Sequence, residues 1–296
     1  MKFSGPALSV LICTCIFSGC EKDINIKLDS QSPKLVVDAS IENGQLPLVV
    51  LSTSMDYFSE IDPEILANSF VHDAQVFISD GLRTNQLKEY SVKYSDTTTL
   101  YYYSADTSSP SNTMFGEVNT DYHLKIIWNN QEYKADTRIP YVTKKIDSLW
   151  WKPAPENPDT NLVQVWVKAT DPKGYGDYVR YFTKRNSEPF YPGFNSVFDD
   201  QIIDGTTYEL PVDRGANKNA KREDDDVFFS RGDTVTLKLC NINKTTFDFW
   251  NSFEYSFQSV GNPFSSPTKV LSNISNGGLG YFGGYAAQFR TIVIPK

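Results

Sequence analysis

Carboxylates and histidines are the residues with which this chain could do polar chemistry, and their spacing limits what that chemistry would be. Asp199, Asp200 and Asp204 fall together in FDDQIIDG (residues 198–205). A pair of such carboxylates could act as general acid and base in a hydrolase, or supply oxygen ligands to calcium. Neither this group nor Asp224, Asp225 and Asp226 has the spaced D-x-D-x-D-G pattern of a calcium loop. Asp204-Gly205 is also a hairpin signal, and aspartates cap turns through their own backbone; the turn is the stronger expectation. His72 and His123 are the only histidines, little material for a metal cluster or a His-based triad. No metal, no cofactor and no enzymatic activity are therefore expected. Arg231-Gly232-Asp233 reads as a turn into a following strand.

Aromatic residues suggest contact rather than catalysis. Residues 277–285 (GGLGYFGGY) interleave glycine with Leu279, Tyr281, Phe282 and Tyr285. Glycine permits close backbone approach, and aromatics bind with little side-chain entropy cost. The segment lacks the strand–GxGxxG–helix setting of a nucleotide site. It is expected to be a loop, packing its aromatics on the core or presenting them to a partner. Trp150 and Trp151 alternate across a strand, so one of them points away from its own core. These six residues are the candidate partner or ligand contacts.

Of the four cysteines, Cys20 is the most informative. Lys2 gives a positive start, residues 7–17 (ALSVLICTCIF) are charge-free and mostly apolar, and Ser18-Gly19 precede the cysteine. These are the parts of a secretory signal, and the run is shorter than the roughly 20 residues that cross a bilayer. A small-residue site ending on Cys resembles the lipobox of bacterial lipoproteins, whose Cys is acylated. The expected organisation is a signal peptide at 1–19 and a lipidated Cys20 with its tether at 20–32. Cys240 is then the one thiol of the folded part, expected as a small buried hydrophobe.

The net charge of −8, without a Lys/Arg stripe, argues against nucleic acid as a partner. Short alternating or apolar runs broken by turn residues imply a mainly β protein. Strands are expected at 35–41, 48–52, 74–79, 99–103, 122–128, 132–137, 146–151, 162–169, 178–183, 234–239 and 289–294, with 186–226 rich in loops and 218–226 a charged excursion. A short helix fits 59–70. One longer helix fits 246–259, capped by Thr245, with Phe249 or Trp250, Phe253 and Phe257 along one face. The expected domains are an N-terminal immunoglobulin-like or transthyretin-like sandwich at 33–140 and a C-terminal β-rich domain at 141–296 carrying that helix.

Several segments together carry a resemblance: LVVDASI (35–41), DAQVFISDG (73–81), YKADTRIP (133–140), IDSLWW (146–151), FDDQIIDG, GNPFSSPTKVLSNI and GGLGYFGGYA (261–286). They resemble an uncharacterised lipoprotein family of Bacteroidota, the domain of unknown function four-two-four-nine. The resemblance implies a lipoprotein of the outer membrane, on its cell-surface or periplasmic side, often encoded beside a TonB-dependent receptor. The expected function is accessory binding in nutrient uptake, with that receptor as partner. A structural or adhesive surface protein and a carboxylate-based hydrolase are the alternatives.

Overall fold

A computed structural model describes residues 32–55, 63–95, 98–109, 113–215, 217, 227–260 and 268–296. The signal peptide, Cys20, the 218–226 excursion and the turn at 261–263 lie outside the described residues. The fold is mainly β, as the alternating runs imply. In chain order the elements are β1 (Leu35–Glu42), β2 (Leu48–Thr53), α1 (Pro63–Ser69), β3 (Gln75–Ser79), β4 (Thr84–Gln86) and β5 (Lys88–Lys93). Next come β6 (Thr99–Ser104), β7 (Thr120–Trp128), β8 (Gln131–Ile139), β9 (Lys145–Pro153), β10 (Leu162–Thr170) and β11 (Tyr178–Arg185). The last are β12 (Tyr191–Phe198), β13 (Thr207–Val212), β14 (Phe229–Ser230), β15 (Thr234–Ile242), α2 (Lys244–Ser259) and β16 (Leu279–Val293).

One eight-stranded sheet, in the order β12-β11-β15-β16-β1-β2-β6-β5, forms the spine. Two four-stranded sheets, β4-β3-β7-β8 and a group in which β10 pairs with β9, β13 and β14, cover one of its faces. The first core sets Val37, Ala39 and Ile41 of β1 and Phe282 and Ala286 of β16 against Ile78, Leu124, Ile126 and Ile139. The second sets Val163, Val165 and Val167 of β10 against Val179 of β11 and Val235 and Leu237 of β15. Burial of alternate residues along β1 and β10 is the period-2 signature of a strand with one apolar face. Residue 140 separates the two covering layers, while the spine runs through both: β1 pairs with β16 in parallel, and residues 33–296 cluster as one compact unit.

Among the differences from the sequence expectation, three regions bear on the spine and its outer face. The stretch 186–226, expected to be loop-rich, contributes β12 and β13. Residues 279–285, expected to form a loop, are the first half of the 15-residue β16. Glycine is uncommon in strands, but here the spine requires it. Gly280 has φ +91°, and an added Cβ would lie 1.9 Å from the Val37 carbonyl oxygen. At Gly284 the same atom would sit 2.4 Å from the Arg138 oxygen of β8. The third difference is at α2, which begins earlier than expected. Asn243, not Thr245, caps it by accepting from the Thr246 N–H at 2.9 Å, and Phe257 is exposed rather than part of the packed face.

Candidate functional site

The two faces of the spine carry different chemistry because side chains alternate along each strand. The odd residues of β1 enter the first core, so Asp38, Ser40 and Glu42 emerge on the opposite face. Arg180 and Phe182 of β11, Lys238 of β15, and Tyr281 and Tyr285 of β16 emerge beside them. Helix α2 covers part of this outer face, packing Phe249 against Cys240, Ile242, Tyr281 and Tyr285. Between α2 and β1 a cleft of about 620 Å³ remains, with those residues as its floor. Trp250 and Phe253 of α2, Phe190, and Tyr191 at the start of β12 line its sides.

Arg180 is almost wholly buried. Its guanidinium carbon lies 3.4 Å from the Trp250 ring centroid and 4.7 Å from that of Phe182, a desolvated cation–π arrangement. Arg180 Nε donates to Ser196 Oγ at 3.1 Å, and Ser196 passes the contact to the buried Glu254, donating Oγ to Oε1 at 2.5 Å and its backbone N–H to Oε2 at 2.9 Å. Lys238 pairs with Glu42 at the far end of the floor.

A line of donors runs toward Asp38. Trp250 Nε1 and Arg180 Nη1 donate to the Tyr285 hydroxyl at 2.9 and 3.3 Å, Tyr285 donates to Tyr281 Oη at 3.3 Å, and Tyr281 stands beside Asp38 in the lining of the cleft. Asp38 is exposed toward the cleft but has many protein atoms around it. Burial therefore holds its pKa above the ordinary carboxylate value, against the smaller lowering effects of Tyr281 and Arg180. Burial also raises the Tyr281 hydroxyl well above its usual value, as do the nearby Tyr285 and Asp38, so it remains a donor. Beneath the cleft, burial pushes the Cys240 thiol up to about 12, which leaves it unreactive at neutral pH.

Of the six contact residues expected from sequence, Tyr281 and Tyr285 meet in this cleft. Phe282, the intervening residue, is fully buried in the first core, and Leu279 is exposed at the start of β16. Trp151 packs on the second core under the Arg231 guanidinium. Trp150 points outward and stacks on Trp166 across the β9–β10 pair at 6.3 Å, with Lys152 Nζ 3.8 Å above the Trp166 ring.

Of the aspartates of FDDQIIDG, Asp199 makes a local turn contact, while Asp200 and Asp204 reach across to the backbone of residues 174–177. Asp200 accepts from the Gly176 and Asp177 N–H groups, Asp204 from Gly174 and Asp199 from Gln201. Asp200 also lies with Asp171 and Asp177, their carboxylate oxygens within 4.8 Å of one another. This group contains its own cation: the fully buried Lys144 ammonium stands 3.1 Å from Asp171. Desolvation still holds the Asp171 pKa above the ordinary value, with Lys144 opposing it. His72 and His123 form separate surface pairs with Glu89 and Asp136.

Asp38, Arg180 and Lys238 were not singled out by sequence reasoning, and Trp250 was named only on the aromatic face of the helix. The available signal was a charged residue at alternate positions of apolar strands, as in LVVDASI, which marks an outward face without saying what will cover it.

The family assignment agrees with the segments quoted above. Residues 21–291 match the Domain of unknown function (DUF4249) profile, and the chain belongs to that family. No curated protein matches the chain significantly.

Proposed function

We propose that this chain is a non-enzymatic binding protein whose ligand enters the outer-face cleft, held at the outer membrane by lipid on Cys20 as an accessory to a TonB-dependent transporter. The observation that carries the binding role is the cleft: a concavity of about 620 Å³ with aromatic sides, a polar floor whose Lys238 and Glu42 pair with each other, and one carboxylate outside any ion pair among the described residues. Preformed pockets of this size and lining are where small ligands are captured. Because the floor is a hydrogen-bonded sheet, little has to be ordered when a ligand arrives. The small-residue site before Cys20 supports the lipid anchor. Tethering would keep receptor and binding protein at high effective concentration, so modest affinity between them would suffice.

The partner is tested by purifying a C-terminally tagged chain from its native outer membrane, with the Cys20→Ala form and an untagged strain as controls. Stoichiometric recovery of a TonB-dependent receptor, lost with Cys20→Ala, is the expected result. Recovery of the chain alone would contradict the accessory role.

A further inference from the structure

We infer that the ligand of the cleft is an organic cation, a protonated amine or guanidinium on an apolar stem, with its charge against Asp38 and its stem against the aromatic sides. The inference rests on the binding role proposed above and adds the chemical class.

Charge balance is the first support. The Arg180 guanidinium is buried against Trp250 and linked through Ser196 to the buried Glu254. Lys238 is matched by Glu42. Asp38 is left over: among the described residues no ammonium or guanidinium lies within ion-pair distance of it, and Arg180 acts on it only from further away.

Hydrogen-bond direction is the second. The line of donors from Trp250 and Arg180 runs through Tyr285 to Tyr281, beside Asp38 in the cleft lining, so the groups around Asp38 are donors rather than competing acceptors. A carboxylate has about four acceptor sites, and Tyr281, with a single hydroxyl proton, can fill at most one. The acceptor capacity that remains is open to the cleft, where an N–H donor carrying positive charge makes the strongest bond. Aromatic side chains beside it add attraction for a cation and cover an apolar stem. An anion would be repelled by Asp38, and a neutral polyol would leave its charge uncompensated.

The experiment is calorimetric titration of the full chain with phenethylamine and agmatine as ammonium and guanidinium probes. Near-isosteric 2-phenylethanol, 3-phenylpropionate and maltose serve as neutral, anionic and sugar comparisons. At least one cation should bind about ten-fold or more tighter than 2-phenylethanol, the scale of a charge-assisted hydrogen bond, and Asp38→Asn should remove that advantage. The comparison of probes on the unaltered chain stands even if the variant fails to fold. Equal binding of amine and alcohol, an advantage that survives in Asp38→Asn, or no binding of either cation overturns the inference. Binding of maltose or 3-phenylpropionate instead, lost in Trp250→Ala, would overturn the cation class while leaving the cleft a binding site.

Discussion

Asp171 and Asp38 are both aspartates whose pKa is raised by desolvation, yet they sit in opposite circumstances. Asp171 is closed off, and the chain supplies its counter-charge through Lys144, both side chains being fully buried. Asp38 is open on one side, and the cations near it are committed elsewhere. A buried charge that the fold neutralises is part of the scaffold. One that the fold leaves facing an open cleft and without a cation is prepared for a partner from outside.

The comparison can be broken most severely at the closed site. Lys144→Ala leaves Asp171 buried without its cation and should cost about 3–5 kcal/mol of stability, measured by denaturant unfolding. Lys144→Met combined with Asp171→Leu should recover most of that loss, since apolar residues can replace a buried ion pair. A mild effect of the single change would mean that the pair is solvated. Next in size is Gly284→Ala, whose added Cβ meets the Arg138 carbonyl oxygen at 2.4 Å. Separating β16 from β8 there should cost roughly 1–3 kcal/mol, and displaced Tyr285 should weaken the donor line to Asp38.

At the open site the effect on stability is smaller and opposite in sign. A carboxyl whose pKa is raised on folding makes the folded state bind protons more readily, so its ionisation disfavours folding above the raised pKa. Asp38→Asn should therefore unfold at a temperature equal to or above that of the unaltered chain at neutral pH. The gap should close as pH falls through the raised value toward the ordinary carboxylate range, where both side chains are neutral. Thermal melts across pH 4–8 would show it, and a gap that widens on acidification would contradict the assignment. The smallest effect is expected at the outer stack. Lys152→Ala removes a half-exposed cation from above Trp166 and should change stability by less than about 1 kcal/mol.

How much of this was legible in the sequence follows from how local each signal is. The alternation in residues 162–169 marks β10 and its buried face because period 2 is a property of the strand itself. The hairpin of β7 and β8 is similarly announced by Asn129-Asn130, both with positive φ in the turn. The first half of β16 was not legible, because its glycines are explained by atoms more than 140 residues away in β1 and β8. Helix α2 was expected, but its cap was misplaced by two residues because Asn243 and Thr245 are both good capping types. The cleft itself assembles side chains from β1, β11, β15, α2 and β16. Tyr281 and Tyr285 stood out by composition; Asp38 and Arg180 acquire meaning only when the parallel pairing of β1 with β16 brings them together.

The most direct measurement is the NMR titration of the Asp38 side-chain carboxyl carbon, with and without saturating phenethylamine. Asp38 should titrate above the ordinary aspartate range in the free protein and fall when the amine is bound, as a cation in the cleft stabilises the carboxylate. A titration that the amine leaves unmoved would show that the cation does not reach Asp38, and would contradict the account.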